Sequence, residues 1–397
     1  MDLVPSGLRT KISVSFERRQ MDRMGSSSTP MAAFTRHISS VLTFQTTKQE
    51  PQRPKHGKAE ADAKSRSINK QLIALGRDEK WKDMLMLFKE QRQHFDAINY
   101  STLMSKLGRI RQVQKDDPLL RALVYDLSEK LHTDGIAWMG NPRTLATIVH
   151  AIAKMGLGSN LSAMKIMRLV DHGETAEWLV DTGDPHSIAN CVWACGKLKI
   201  QSPNLFQMLD ERAQWFVDHG TPQALANCVY VCGTLGIESP NLFHMLDERA
   251  QWFVDNGNPQ DIANCVWACG KLGIESPNLF QLLDQRAQWL VDNGNPQEIA
   301  NCVWAHGKLG IESPNLFQLL DQRAEWLVDN GTPQNIVNCV WACGKLGIES
   351  PNLFRLLDER AEWLAENGNQ QDLRDSVDAC VKLGIESPNL FRLHVPS

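Results

Sequence analysis

The sequence predicts an all-α protein, a right-handed α-solenoid of tandem 37-residue helix-turn-helix repeats. Two observations carry this prediction. Prolines recur every 37 residues in two series, and tryptophans from Trp178 to Trp363 keep the same period. The proline series are Pro185, Pro222, Pro259, Pro296, Pro333 and Pro203, Pro240, Pro277, Pro314, Pro351, Pro388. A fixed period of this length is the signature of a solenoid, because each unit buries its apolar faces only against its neighbours.

Each unit contains start and stop signals for two helices. One unit reads NPQDIANCVWACGKLGIESPNLFQLLDQRAQWLVDNG and covers residues 258–294. Helix A is predicted from Pro259, behind the capping residue Asn258, to Leu272. Helix B is predicted from Pro277 to Asn293, with Gly294 as a left-handed C-cap. The two helices are expected to form an αα-hairpin.

The remaining chain divides by composition and by the strength of the repeat. Residues 1–66 are basic and rich in Ser and Thr, which predicts a disordered leader or a transit peptide. Residues 67–140 have apolar residues at helical spacing and are expected to form divergent hairpins that cap the array. Residues 141–183 form a degenerate repeat, residues 184–369 five near-identical repeats, and residues 370–397 a truncated, polar capping repeat.

Charge and cysteine content exclude several classes of protein. No stretch of 18 apolar residues is present, so a membrane-spanning helix is not predicted. Without an export signal, the ten cysteines are expected to be reduced thiols. Residues 141–397 carry 18 Lys/Arg against 30 Asp/Glu, a net charge of −12, whereas residues 1–140 have a net charge of +8.

One face of helix A carries the candidate RNA-binding residues. Placed at 100° per residue, Gln260, Asn264, Trp267 and Lys271 form one polar stripe, and the stripe recurs in each copy. Amides can pair with base edges, a ring can stack on a base, and lysine can meet phosphate. The residue after the glutamine varies between copies, as a base-reading position would. The candidates are Asn190, Asn227, Asn264, Asn301, Asn338; Ser187, Ala224, Asp261, Glu298, Asn335; and Lys197, Lys271, Lys308, Lys345.

Structural interpretations remain open for the same residues. The asparagines could bond between adjacent helices, and the lysines could form a solvated edge. The Trp residues of both helices could pack between units. Cysteines four residues apart, such as Cys265 and Cys269, could share a metal, but they lie within the apolar arc, where Cys packs as a small hydrophobe.

The motif NPQDIANCVWACGKLG (residues 258–273) and its copies resemble the octotricopeptide-type repeats of algal organelles. They are also similar to the helical repeats of FAST-kinase-domain and RAP-domain proteins, and residues 67–140 weakly resemble a pentatricopeptide hairpin. Ala263, Asn264, Trp267, Lys271 and Gly273 carry the main resemblance. It implies organellar RNA binding that controls the stability, processing or translation of transcripts.

The favoured function is therefore single-stranded RNA binding in a mitochondrion or chloroplast, with a cytoplasmic location as the alternative. The alternative function is a protein-interaction scaffold on an acidic solenoid. No catalytic motif, cofactor or metal site is predicted, and neither a membrane nor a small-molecule substrate is expected as a partner.

Overall fold

A computed structural model describes residues 55–393, with side chains from residue 60 onward. Within this range the protein contains 24 α-helices and two short 3₁₀ helices, and no strand is present. The predicted all-α solenoid is confirmed, whereas its handedness stays a prediction. The transit peptide predicted in the leader falls largely on residues 1–54, which lie outside the described residues, as do residues 394–397.

The helices form two layers. The first helix of each unit packs against the first helix of the next unit, and the last helix of a repeat packs against the middle helix of the next repeat. The A layer contains the first helix of each unit, and the B layer contains the helices that follow it. The A layer comprises α3 (Ala97–Leu107), α5 (Pro142–Met155), α8 (Pro185–Leu198), α11 (Pro222–Leu235), α14 (Pro259–Leu272), α17 (Pro296–Leu309), α20 (Pro333–Leu346) and α23 (Gln370–Leu383). The B layer comprises α2 (Trp81–Gln91), α4 (Pro118–Asp134), α6 (Leu161–Leu169), α7 (Gly173–Thr182), α9 (Pro203–Glu211), α10 (Ala213–His219), α12 (Pro240–Glu248), α13 (Ala250–Asn256), α15 (Pro277–Gln285), α16 (Ala287–Asn293), α18 (Pro314–Gln322), α19 (Ala324–Asn330), α21 (Pro351–Glu359), α22 (Ala361–Asn367) and α24 (Pro388–Leu393). The first helix, α1 (Lys55–Arg77), precedes both layers, and the boundary predicted at residue 66 falls inside it.

Each repeat contains three helices, not the two that were predicted. The single helix expected from Pro277 to Asn293 is interrupted at Arg286, whose backbone lies at φ −104° and ψ 17°. The predicted left-handed cap at Gly294 is also wrong, because its φ is −83° and its backbone is extended. The left-handed glycine of the unit is instead Gly273, at φ 71°, which ends the A helix.

The interrupting arginine joins consecutive repeats. The Arg286 guanidinium donates to the carbonyl of Val254 and to Asp255 Oδ1 of the preceding repeat, the latter at 2.6 Å. It also lies 5.1 Å from the centre of the Trp289 ring. Equivalent arginine–aspartate pairs occur between the other repeats. In four repeats the helix-B tryptophan thus makes a cation–π contact with the arginine that joins its own repeat to the preceding one.

An aspartate from one repeat caps the first B-layer helix of the next repeat. Ser313, the N-cap residue of α18, makes no side-chain capping bond to its own helix. Its hydroxyl donates to Asp284 Oδ1 at 2.6 Å, and the backbone N–H of Asn315 donates to the same oxygen at 3.0 Å. Asp284 therefore satisfies helix-start donors that the local sequence leaves free. Aspartates at the equivalent positions cap α12, α15, α21 and α24 in the same way.

The A helices approach each other closely at a glycine–alanine contact, which we call the seam. A Cβ placed on Gly307 would lie 2.7 Å from the Cα of Ala342 in the next unit. A Cβ placed on Gly270 would likewise lie 3.0 Å from the Cα of Ala305. At this position the last A helix carries Val381, whose side chain is 67 % exposed.

The cysteines lie in the core. All ten are free and buried, and burial raises the pKa of the Cys269 thiol to about 12. Among the described residues no group of three His, Cys, Asp or Glu side chains could hold a metal ion. One unit carries His306 in place of the second cysteine. This imidazole is fully buried and donates from Nδ1 to the Cys302 carbonyl, while its Nε2 has no partner among the described residues.

Candidate nucleic-acid interface

Exposed lysines form a row along the A layer, which we call the lysine row. The row consists of the next-to-last residues of α8, α14, α17 and α20, which are Lys197, Lys271, Lys308 and Lys345. All four are exposed, and within the described residues none forms an ion pair. Thr234 occupies the equivalent place on α11 and interrupts the row. These ammonium groups are free to bind an anion.

The predicted asparagines form a second row, the amide row. It comprises Asn190, Asn227, Asn264, Asn301 and Asn338, all of them half-buried. Asn338 Oδ1 accepts a hydrogen bond from Gln334 on the same helix at 2.9 Å. Among the described residues, the other four amides make no hydrogen bond across the helices, and none is a buried group without a partner. The bonding between adjacent helices considered from the sequence is therefore not found, and the amides can reach a ligand.

Aromatic rings lie between the units and form the ring row. It comprises His150, Trp193, Tyr230, Trp267, Trp304 and Trp341. Trp304 and Trp341 lie nearly parallel, at 26° with their ring centres 6.4 Å apart. A Cβ on Gly270 would lie 3.1 Å from the Trp304 ring, so each tryptophan also packs on the preceding unit. Every ring remains at least partly exposed, which leaves surface for stacking on a base.

The residues predicted to read bases are placed differently from the prediction. Ser187, Ala224, Asp261 and Asn335 are buried, so the expectation that this position lies exposed is wrong for them. Glu298 is half-buried.

The physical reason is the start of the A helix. These residues occupy its third position, where the side chain can accept a hydrogen bond from the backbone of the N-cap residue. Asp261 accepts from the Asn258 N–H at 3.2 Å, Glu298 from Asn295 at 2.9 Å and Asn335 from Thr332 at 3.0 Å. Their variation reflects several side chains that suit a helix start.

Most acidic residues lie on the B layer, but an exposed glutamate (Glu275, Glu312 or Glu349) follows the row's lysine by four residues in three units. Asp284 and Asp292 belong to the B layer, where they are engaged in the cap and arginine contacts between repeats. In the last unit, however, Asp375 and Asp378 replace the asparagine and the tryptophan of the A-helix stripe. Asp378 is exposed there. The last A helix still carries an exposed lysine, Lys382, at the place of Lys345, but two aspartates now stand on the same stripe.

The structure adds residues that the sequence interpretation did not name. His150 and Lys154 on α5 stand at the places of Trp193 and Lys197 on α8. Gly108 makes the same close contact as the seam glycines, because a Cβ placed on it would lie 3.3 Å from the Cα of Ala151. Arg109, the next residue, therefore corresponds to the lysine that follows seam glycines such as Gly270. The signal for His150 and Lys154 is present in the sequence, since both lie in the degenerate repeat of residues 141–183. Arg109 could not be found that way, because the pattern around it has diverged.

Within the described residues, none of the helices combines the length and the apolar character needed to cross a membrane. No curated protein matches the chain. A family described as RNA-editing substrate-binding complex 6 protein matches residues 89–389, about three quarters of the sequence. The family named by this match differs from the octotricopeptide-type, FAST-kinase-domain, RAP-domain and pentatricopeptide families that the motifs resemble. The chain belongs to the RNA-editing substrate-binding complex 6 protein family, and it is an RNA-associated helical repeat protein.

Proposed function

We propose that the A layer binds single-stranded RNA, with about one nucleotide per unit. The single observation that supports this most strongly is the lysine row, because its exposed ammonium groups lie beside accessible rings and amides without a counter-ion. Phosphate contacts supply most of the affinity of nucleic-acid binding. The net charge of the array overstates the negative charge of the A layer, since most of the acids lie on the B layer; the exposed glutamates in the turns after the A helices remain beside the row in sequence.

We further propose that the chain acts as a subunit of an RNA-editing substrate-binding complex. The description of the family supports this role. In this view the protein positions RNA and does not catalyse a reaction. An organellar location, in a mitochondrion or chloroplast, is supported by the acid-poor segment from Ser26 to Gln49. Post-transcriptional control of RNA stability, processing or translation would follow from that location.

The test is the salt dependence of RNA binding by the full chain, measured by fluorescence anisotropy with labelled single-stranded RNA of 12 nucleotides. Replacement of Lys271, Lys308 and Lys345 by Gln is expected to weaken binding and to reduce the log–log salt slope by about 2, at about 0.7 per phosphate contact. The matched control replaces Lys82, Lys89 and Lys165, exposed B-layer lysines, by Gln. If both triple variants bind RNA equally, the A layer is not the RNA site.

A protein-interaction scaffold is the second candidate, and one observation favours it. Grooves recur where consecutive repeats meet, next to the turn that follows the A helix. One is lined by Phe280, Ile311 and Glu312, and the equivalent residues line a groove two repeats later. Purification from cells at high salt with nuclease distinguishes the two functions. A protein partner that stays bound while the purified chain fails to bind RNA would favour the scaffold.

A further inference from the structure

Charged side chains from three successive A helices surround one aromatic pair at the N-terminal end of the A layer. The His150 ring lies 4.7 Å from the Trp193 ring, centre to centre, with 39° between their planes. His150 is half-buried, whereas Lys154 on its own helix and His186 on α8 are exposed. Arg109, just beyond the end of α3, is exposed as well.

The groups that act electrostatically on His150 are all cationic or able to become so. Burial lowers the pKa of the imidazole most, and Lys154, His186 and Arg109 lower it further. No carboxylate in the described part of the chain contributes to this shift, and neither Arg109 nor Lys154 forms an ion pair there. The B layer differs sharply, because its inter-repeat arginines each face an aspartate. A cluster of like charges without a counter-ion is stabilised by a bound anion.

The position of this cluster indicates which anion it would bind. Lys154 stands at the place of Lys197 in its unit, so the cluster continues the lysine row beyond the five repeats. At the opposite end, Asp375 and Asp378 lie on the same stripe as Lys382, so that end is less favourable to phosphate than the cluster. A single strand that follows the lysine row therefore reaches the cluster at its more basic end.

We propose that Arg109, Lys154 and His150 form a phosphate-binding site at the N-terminal end of the A layer. The site takes a phosphate group of single-stranded RNA, either within the backbone or at the 5′ end. This inference rests on the proposed RNA-binding function. It extends the RNA-binding surface by two units, those of α5 and α3, and it gives the surface a preferred basic end. Arginine and lysine are the side chains that bind phosphate most strongly, and a half-buried imidazole adds a further donor.

The test compares two double variants that remove the same charge. Arg109→Gln/Lys154→Gln removes the proposed site, and Lys82→Gln/Lys89→Gln removes two exposed cations of the B layer. The probes are oligouridylates of five and twelve nucleotides, each with a 5′-hydroxyl, bound to the full chain at low salt. The first variant is expected to weaken binding of the 12-mer about tenfold and to reduce its log–log salt slope by about 1.4. Binding of the 5-mer, which the lysine row can accommodate alone, is expected to change little.

The source of the phosphate is resolved by repeating the titration with a 5′-monophosphorylated 12-mer. A gain in affinity that disappears in Arg109→Gln/Lys154→Gln assigns the site to the 5′ end, whereas equal binding of both 12-mers assigns it to the backbone. If wild-type protein binds the 12-mer and both double variants bind it with equal affinity, the proposed phosphate site is contradicted, whereas the proposed RNA-binding function is not. If wild-type protein binds neither oligonucleotide, the proposed function fails, and this inference fails with it.

Discussion

Asp284 caps a helix of the next repeat, because its Oδ1 accepts the backbone N–H of Asn315 at 3.0 Å. The two residues lie 31 positions apart, and the hydroxyl of Ser313 donates to the same oxygen. A capping interaction that is normally local thus acts here as an inter-repeat contact. It ties the start of α18 to α15, so the helix is completed only when the preceding unit is folded.

Replacement of Asp284 by Ala is expected to lower the free energy of unfolding by about 1–3 kcal/mol, because several donors lose their acceptor at once. Asp284→Asn keeps one acceptor oxygen and should cost less. Chemical denaturation followed by circular dichroism measures both. Gln285→Ala, an exposed neighbour on the same turn, is the control. Equal unfolding midpoints for Asp284→Ala and Gln285→Ala would contradict the capping role.

Gly307 tests the seam between A helices. An added Cβ would lie 2.7 Å from both the Cα and the Cβ of Ala342, and a backbone atom cannot rotate away. Gly307→Ala should therefore destabilise the array by about 1–3 kcal/mol despite the better helix propensity of alanine. At Gly173, in α7, a Cβ would meet nothing within 4 Å. Gly173→Ala should be neutral or stabilising, and a comparable loss at both positions would exclude steric overlap as the cause.

The amide row separates ligand binding from structure. We expect replacement of Asn264, Asn301 and Asn338 by Ala to change stability by less than about 0.5 kcal/mol per site, since these amides make no hydrogen bond across the helices. RNA affinity should fall in the same variant. The control replaces the exposed B-layer residues Gln281, Gln285 and Gln318 by Ala. A loss of about 1–3 kcal/mol per asparagine, measured by thermal unfolding, would instead indicate a structural role.

His306 makes one junction sensitive to pH. Burial lowers the pKa of the imidazole, and its Nε2 has no partner in the described structure. The unfolded chain therefore binds the proton more readily, so stability is full above about pH 6.5 and falls as the pH drops through that value, by at most about 1.4 kcal/mol per pH unit. His306→Cys removes the imidazole and with it this pH-dependent contribution to the free energy of unfolding. The stability difference between variant and wild type should grow from pH 7.5 to pH 5, and a constant difference would show that His306 does not titrate on unfolding.

The repeat and the A helices could be predicted from sequence because their signals are local. Asn258, Pro259 and Gly273 mark the two ends of one helix within 16 residues. The break at Arg286 could not be predicted, because its cause is non-local. The arginine bonds to Val254 and Asp255 of the preceding unit, and no pattern within one unit reveals that partner.

The candidate site was predicted in part for the same reason. A projection at 100° per residue placed Asn264 and Lys271 on an accessible face, since their exposure depends on helix geometry alone. Asp261 was misplaced because residues in the first turn fold back toward the N-cap. Arg109 was missed because its equivalence to Lys271 rests on the contact between Gly108 and Ala151, which only the packed helices show.

The valine at the end of the A layer determines how such an array can change in length. Val381 occupies the place where each of the five near-identical repeats has a glycine. The residue that this glycine faces in the next unit is Val231 at one junction and an alanine at the other four. A copy added after α23 would meet an isopropyl group, not a hydrogen atom, at the place where the A helices of the near-identical repeats approach most closely. A copy inserted between two of the near-identical units meets a glycine at this place in the unit before it, and the capping aspartate and serine are also present at these junctions. Tandem duplication is therefore accommodated more readily in the interior of the array, where each event would add one further unit to the proposed RNA-binding surface.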